Sequence, residues 1–167
     1  QVLLVRWLSS GSRGYTNQDR ELVIPPFSHI SGLNGGLLRC LLLGMTCIIV
    51  RRYDPAETVK LLVRESVTVV SGPPSLFTQL LIEERQSKGI LGKLRIATLN
   101  AAPCPPSLIH KLRECGIGQL CSAYGLTEFE AACATTNTDS VDAIANTVGK
   151  PVPGALVKIL SDRCEEV

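Results

Sequence analysis

The stretch that decides how this chain is interpreted reads Leu120-Cys121-Ser122-Ala123-Tyr124-Gly125-Leu126-Thr127-Glu128. A short apolar run breaks at once into an aromatic ring, a glycine, a hydroxyl and a carboxylate. This pattern is typical of a buried strand whose carboxyl end delivers polar groups to a crevice. The ring can stack on a base, the glycine lets backbone approach a ligand, and the carboxylate can hold Mg²⁺. The stretch indicates a nucleotide site, but a plain strand-to-helix connection capped by Thr127 stays open on this evidence.

Strand and helix patterns alternate along most of the chain. Apolar or β-branched runs predict strands at 22–25, 47–50, 67–70, 94–99 and 120–123. Helical patterns fall between them, at 33–43, 54–63, 76–88 and 105–115. The first of these helices ends at Gly44, and the second begins with the cap Asp54 followed by Pro55. The alternation predicts an α/β fold, a parallel sheet built of βαβ units with helices on both faces.

A parallel sheet places the loops after its strands along one edge. His29, Gly72-Pro73, the loop 100–102 and the stretch 124–128 each follow a predicted strand. We therefore expect these four segments to share one crevice.

The pattern changes beyond Glu128. A strand is predicted at 131–135, a polar loop at 137–146, an extended link at 147–154 and a half-buried strand at 157–160. This indicates the start of a mixed or antiparallel element. We expect two units, a partial parallel α/β subdomain over 1–136 and a linker with the start of a second β subdomain over 137–167.

Composition excludes several classes of protein. The 17 basic and 15 acidic residues give a net charge of +2 without a basic cluster, so nucleic-acid binding has no support. The 7 cysteines lack the spacing of a zinc site or a disulfide framework, which indicates reduced thiols in an intracellular protein. The apolar run 37–50 is interrupted by Arg39 and is too short to span a bilayer.

Familiar catalytic motifs are also missing from the sequence. It contains no Gly-x-Ser-x-Gly elbow, and its two histidines are His29 and His110. His110 falls on the polar side of the predicted 105–115 helix, whereas His29 lies in a loop that follows a strand. A glycine-rich dinucleotide fingerprint and a phosphate-loop lysine motif are absent as well.

The ordered set of motifs resembles the large N-terminal domain of the adenylate-forming (AMP-binding) superfamily, within it most closely the acyl-CoA synthetase, 4-coumarate-CoA ligase and luciferase branch. The motifs that carry the resemblance occur in this order: the segment 25–33, Asp54-Pro55, Gly72-Pro73-Pro74-Ser75, Leu94-Arg95, Ala101-Ala102-Pro103, Tyr124-Gly125-Leu126-Thr127-Glu128, and the segment 148–154. The resemblance covers most of the chain.

The resemblance implies a two-step reaction. A carboxylate attacks the α-phosphate of ATP to give an acyl-adenylate, and coenzyme A then displaces AMP. It implies that Tyr124, Gly125 and the loop Asn100, Ala101 and Ala102 bind the nucleotide. Thr127 would bind the α-phosphate and Glu128 would bind Mg²⁺. His29 would act close to the carboxylate of a small aryl or fatty acid, in a pocket completed by Ser31, Ser122, Ala131 and Ala132.

Two departures from the family pattern stand out. Asn100 replaces a glycine, and Val5-Arg6 replaces a hydroxyl-histidine pair. We expect the chain to be a piece of a longer cytoplasmic or peroxisomal ligase, inactive by itself because the family's phosphate loop, ribose-binding aspartate and catalytic lysine fall outside it. A non-catalytic relative of the same fold and a luciferase-like oxygenase remain alternatives. The sequence leaves the identity of the acid and the oligomeric state open.

Overall fold

A computed structural model gives the structure of residues 13–87 and 89–166. The expectation for Val5-Arg6 lies outside these residues. The strands form one seven-stranded sheet in the order β2-β1-β3-β4-β5-β6-β7. Their bounds are Arg20–Val23 (β1), Thr46–Ile49 (β2), Val69–Gly72 (β3), Ile96–Leu99 (β4), Gln119–Tyr124 (β5), Cys133–Ala134 (β6) and Lys150–Pro151 (β7). The pairs from β2 to β5 are parallel and the last two are antiparallel, so the predicted fold class is confirmed.

Five helices connect these strands within the described residues. Helix α1 runs as three consecutive segments, Ile30–Gly32, a π-helical stretch Leu33–Leu38, and Arg39–Leu43. The others are Pro55–Arg64 (α2), Pro74–Ser87 (α3), Pro106–Glu114 (α4) and Val141–Asn146 (α5), with a 3₁₀ turn at Leu91–Lys93. The predicted cap of α2 is present, because the Asp54 carboxylate accepts a hydrogen bond from the Glu57 N–H at 2.9 Å.

The strand order places a topological switch between β1 and β3. The connection from β1 passes through α1 to β2 on one side, and the chain then returns through α2 to β3 on the other side. At such a switch the loops at the carboxyl ends of the two strands part and leave a crevice. The loop containing His29 follows β1, and Pro73 follows β3.

Two apolar clusters lie on opposite faces of the sheet. The larger one joins Leu22, Val70 and Ala97 of the sheet to residues of α2, α3 and α4. The smaller one joins Val69 and Ile96, from the other face, to Cys40 of α1. Successive strand residues point to opposite faces, so each strand supplies both clusters. The prediction of helices on both faces is confirmed.

Helix α1 differs from its prediction. An almost continuous apolar run predicts a buried helix over 33–43, yet Leu41 is 69% exposed. The side of α1 that meets the sheet carries Gly35, Gly36, Arg39 and Cys40. A Cβ on Gly36 would lie 2.5 Å from the side chain of Val23, so glycine is what allows this close approach. The predicted glycine end is confirmed, since Gly44 adopts a φ of +69°.

Two predictions beyond β6 were wrong. The polar loop expected at 137–146 contains α5, whose cap is the Ser140 hydroxyl accepting from the Ala143 N–H at 3.2 Å. Its buried face is Ile144 and Ala145, too short a run to produce a helical periodicity in the sequence. The strand expected at 157–160 is limited to a single bridge between Leu160 and Glu166, because the rest of the run has no neighbouring strand among the described residues.

All seven cysteines carry free thiols. Within residues 13–87 and 89–166, no helix is long and apolar enough to cross a membrane.

The loop before β1 is anchored by Asp19, a buried carboxylate. It accepts hydrogen bonds from Arg95 Nε, from the Thr68 hydroxyl and from the Thr16 N–H, each at 2.8 Å. Burial alone would raise the pKa of Asp19, but these hydrogen bonds, that of Arg95 first, hold the pKa below its ordinary value. The charged carboxylate is therefore the form that stabilises the fold.

We expect Asp19→Asn to lower the free energy of unfolding of the whole protein by about 1.5–3 kcal/mol near neutral pH, since hydrogen bonds to a charged group are lost. A pKa lowered by folding gives a stabilisation that is complete above the ordinary value of 3.8 and is lost as the pH falls through the lowered pKa. Urea denaturation at several pH values should show the two proteins converging in acid. The exposed Asp162→Asn is the control, and a difference that persists in acid would refute the assignment.

Candidate functional site

The stretch after β5 forms the loop of a β-hairpin. Strand β5 pairs antiparallel with β6 through Ala123 with Ala134 and Tyr124 with Cys133. At the tip, the N–H groups of Leu126 and Phe129 each donate to the other's carbonyl oxygen at 3.2 Å. Thr127 and Glu128 occupy this turn. The alternative interpretation of Thr127 as a helix cap is wrong, because no helix follows it.

Gly125 is required by the path of this loop. A Cβ there would lie 1.6 Å from the Glu130 carbonyl oxygen, closer than any real contact. The chain therefore folds back onto itself at Gly125, and the returning Ala132 N–H donates to the Tyr124 carbonyl at 2.9 Å. This folding holds Thr127 and Glu128 out at the edge of the sheet. Neither side chain has a hydrogen-bond or ion-pair partner among the described residues, so both are available to a ligand.

A first cavity of about 390 Å³ lies beneath this loop. It is bounded by the sheet, by α1 and by the loops after β1, β4 and β5. The predicted site residues that line it are His29, Ser31, Asn100, Ala101, Gly125, Thr127, Glu128 and Ala131. These residues come from segments that are far apart in the sequence, and they share one crevice as expected.

A second cavity of about 730 Å³ lies on the other side of the same loop. Tyr124 and Ala102 line it, together with the end of α5 and the segment up to Gly149. The ring of Tyr124 is 49% exposed and so offers a free face for stacking. The first and second cavities share Ala101, Ala123 and Gly125 as lining residues, so they adjoin.

A third cavity of about 410 Å³ opens at the switch point between β1 and β3. Gly72 and Pro73 line it, and it shares His29 and Ser71 with the first cavity. The Tyr53 hydroxyl lies in its wall, buried and without a hydrogen-bond partner among the described residues. Burial raises the pKa of Tyr53, and the neighbouring Asp54 and Glu83 add to the effect.

Two predicted pocket residues occupy other places. Ser122 lines the second cavity and not the first, which contains His29. The physical reason is the alternation along β5: Cys121 packs with Cys40 of α1, so Ser122 points to the opposite face of the sheet. Ala132 lines none of the three cavities, because it returns alongside Tyr124 towards β6.

His29 begins α1, and its ring takes part in the cap. Its Nδ1 accepts a hydrogen bond from the Ser31 N–H at 3.1 Å. Nδ1 is thus the acceptor, which leaves Nε2 to carry the proton of the neutral ring. The side chain is exposed and lines both the first and the third cavity.

Sequence reasoning missed the polar floor of the first cavity. Arg39 and Glu21 are 2% and 1% exposed and form a two-bonded ion pair, in which Arg39 Nε donates to Glu21 Oε2 at 2.9 Å. Burial alone would lower the pKa of Arg39, but Glu21 more than offsets this, so its pKa is raised and it stays charged. The same burial, followed by the Glu21 charge, raises the pKa of the Cys40 thiol. A charge inside an apolar run, as at Arg39, was the one sequence signal of this pair.

The fold and this edge define the class of protein first: an α/β protein of the doubly wound type, with a crevice at the carboxyl ends of its parallel strands. The family model described as "AMP-binding enzyme" matches residues 3–167. The chain belongs to this family, as the resemblance predicted.

Individual relatives agree with the family assignment. The chain is 32% identical over 158 residues to a ligase of Mycobacterium tuberculosis named 3-[(3aS,4S,7aS)-7a-methyl-1,5-dioxo-octahydro-1H-inden-4-yl]propanoyl:CoA ligase, covering 93% of this chain and 31% of that protein. It is 29% identical over 149 residues to 2-succinylbenzoate–CoA ligase of Bacillus subtilis, covering 89% and 30%. The chain thus spans about a third of the length of these relatives.

Among solved structures, the chain is similar to o-succinylbenzoate coenzyme A synthetase of Bacillus subtilis in complex with ATP and magnesium ion. The TM-score is 0.83 at 27% identity, over 99% of this chain and 34% of that one. The same enzyme with its acyl-adenylate intermediate gives 0.82 at 28% identity, over 96% and 32%.

Ala101, at the junction of the three cavities, has a left-handed backbone with a φ of +65°. This conformation costs a non-glycine residue about 1–2 kcal/mol. The neighbouring Ala102 does not adopt a left-handed backbone conformation. No sequence signal marks the difference, because both residues are alanine.

We expect Ala101→Gly to stabilise the whole protein by up to about 1 kcal/mol, because relief of the left-handed strain exceeds the added entropy of the unfolded chain. Ala102→Gly is the matched control. It adds entropy to the unfolded chain without relieving strain, so it should lower the free energy of unfolding by about 0.4–1 kcal/mol. Urea denaturation measures both. Shifts of the same sign in the two variants would argue against a strained Ala101.

Proposed function

We propose that the whole protein is an ATP-dependent carboxylate–CoA ligase, which forms an acyl-adenylate from a small carboxylic acid and ATP and then transfers the acyl group to coenzyme A. The observation that carries this is the adjacency of the first and second cavities across Ala101 and Gly125. Thr127 and Glu128 lie in the same loop and have no side-chain partner in the part of the chain that the structure describes. An acid in one cavity and a nucleotide in the other would meet at that boundary. Both relatives described above are CoA ligases by name, which supports the same reaction.

The nucleotide is assigned to the second cavity. Its base would lie against the ring of Tyr124 and the backbone of Ala101 and Ala102. Asn100 precedes Ala101 and lines the first cavity, and its N–H donates to the Gly72 carbonyl at 3.0 Å, which holds the loop against β3. The hydroxyl of Thr127 has no hydrogen-bond partner among the described residues, so it would be free to donate its hydrogen to the α-phosphate.

The acid is assigned to the first cavity, with its carboxylate close to His29 and Thr127. With Nδ1 engaged by Ser31, the His29 Nε2–H can donate to a carboxylate oxygen and orient it. Ser31 and Ala131 would form part of the wall. Ser122 and Ala132 do not belong to this wall, because Ser122 lines the second cavity and Ala132 lies beside Tyr124.

Glu128 fits a magnesium ion shared with the phosphates of ATP. Mg²⁺ is commonly held by one or two carboxylates together with substrate phosphates, and the Glu128 carboxylate is exposed and unpartnered among the described residues. When bound, Mg²⁺ neutralises charge that develops on the phosphates.

We also propose a division into two units. Residues 1–136 carry the acid pocket and half of the nucleotide site, and residues 137–167 form a linker and the start of a second β unit.

We propose that the protein acts inside the cell, in the cytoplasm or peroxisome, which is consistent with its free thiols. Because the chain spans about a third of its relatives, we propose that these 167 residues do not complete adenylation alone.

Asn100 is the observation that favours the alternative, a relative of the same fold that binds ligand without chemistry. Its side chain lines the first and third cavities where the family pattern has a glycine. Acid-dependent exchange of pyrophosphate into ATP by the whole protein separates the two proposals. Exchange supports the ligase, and its absence with aryl, medium-chain and long-chain acids supports the alternative.

We expect Thr127→Ala to slow acid-dependent pyrophosphate exchange by about 10- to 100-fold, since a hydrogen bond to a charged group contributes about 1.5–3 kcal/mol. Thr138→Ala is the matched control, because Thr138 is exposed and lines none of the three cavities. An unchanged rate in Thr127→Ala would remove this residue from the site.

For Glu128→Gln we expect a higher magnesium requirement, because the neutral amide binds Mg²⁺ far less well than a carboxylate. The measurement is a magnesium titration of the exchange rate at fixed ATP. Glu114→Gln, on the exposed side of α4, is the control. Identical titration curves for Glu128→Gln and the unmodified protein would count against a metal role.

A further inference from the structure

Three of the polar side chains that line the first cavity come from different elements and are hydrogen-bonded to one another, and the buried Arg13 and Thr98 line the same cavity. Glu21 belongs to β1, Arg39 to α1 and Ser71 to β3, and all three line the cavity. Glu21 and Arg39 are almost completely buried, whereas Ser71 is partly exposed. A cavity that took only hydrocarbon would be expected to have an apolar floor.

Hydrogen bonds connect the three side chains to one another. Both oxygens of Glu21 accept from Arg39, through Nε and Nη2, and Oε2 also faces the Cys40 thiol at 3.6 Å. Arg39 Nη2 also donates to the Ser71 oxygen at 3.1 Å. Each oxygen of Glu21 therefore accepts at least one hydrogen bond, and the guanidinium balances the charge of the carboxylate.

Ser71 is left with its own hydrogen to give. Its oxygen is taken up by Arg39, so its O–H must be directed away from the guanidinium. That O–H has no acceptor among the described residues, and Ser71 lines the first cavity and the adjoining third one. A donor polarised by a neighbouring charged donor forms a stronger hydrogen bond than an isolated hydroxyl.

The position of Ser71 relates it to the proposed reacting end of the acid. Strand β3 lies two strands away from β5, whose hairpin loop carries Thr127. Ser71 and Thr127 both line the first cavity. An acid that lies in this cavity with its carboxylate near Thr127 can therefore extend its other end towards Ser71.

We propose that the acid carries an acceptor oxygen, an oxo or a second carboxylate oxygen, at the end remote from the reacting carboxylate, and that Ser71, held by Arg39, binds it. This inference rests on the proposed function. A plain hydrocarbon end would leave the Ser71 O–H without an acceptor, and a site built to make a hydrogen bond discriminates against ligands that cannot accept it.

The first test compares acids of equal chain length on the whole, unmodified protein. One is a plain monocarboxylic acid, one carries an oxo group at its far end, and one carries a second carboxylate there. We expect kcat/KM for acid-dependent pyrophosphate exchange to be at least about tenfold higher for one of the oxygenated acids. The better of the two identifies the kind of oxygen that the site accepts. Equal or lower values for both would overturn the proposal.

The second test measures the same ratio in Ser71→Ala and Ser71→Thr. We expect the ratio of oxygenated to plain acid to fall about tenfold in Ser71→Ala and to be kept in Ser71→Thr, which retains the hydroxyl. Ser107→Ala, exposed on α4, is the matched control. A ratio unchanged in Ser71→Ala would overturn the assignment of Ser71.

A third measurement separates this proposal from the proposed function. If no acid supports exchange, the ligase assignment fails, and the same three acids are then compared by the rise they cause in the thermal unfolding midpoint of the unmodified protein. A larger rise with an oxygenated acid supports the acceptor site. Equal rises with all three acids, or none, overturn it.

Discussion

The buried ion pair between Glu21 and Arg39 is the interaction on which the first cavity and the packing of α1 depend. It joins β1 to α1 at a place where glycines bring the helix very close to the sheet. Two charges removed from water are tolerated because each satisfies the other, and removal of either would leave an uncompensated buried charge. The pair and the close contact of Gly36 with Val23 together hold α1 against the sheet. Helix α1 in this position bounds the first cavity, and the pair supplies its polar floor.

The second determinant is the direction in which the chain leaves each strand. Parallel strands bring the loops after β1, β3, β4 and β5 to one edge, and the switch between β1 and β3 opens that edge beside His29. The change to antiparallel pairing at β6 then turns the loop 125–132 back over the edge instead of into a helix. Three adjoining cavities result, with Ala101 lining all of them.

Membership of the AMP-binding family gives this geometry a chemical meaning. In the proposed reaction, the two reactants approach from opposite sides of the boundary at Ala101 and Gly125. Ala101 holds a left-handed backbone there at an energetic cost, which is common where a loop must approach a ligand closely. The loop after β5 crosses this boundary at Gly125. Tyr124 therefore lines the second cavity and Thr127 the first, although the two residues are close in sequence.

The sequence by itself determined the class of fold, the cap at Asp54, the end at Gly44 and the meeting of His29, Asn100 and Thr127 at one edge, because these follow from local periodicity and from the geometry of parallel strands. It missed α5, which has only Ile144 and Ala145 to bury, and it predicted a strand at 157–160 that lacks a pairing partner among the described residues. Only the tertiary structure decided that Ser122 faces away from His29, that Ala101 is strained, and that Arg39 meets Glu21. These depend on strand register and on contacts between distant elements, which no local pattern encodes.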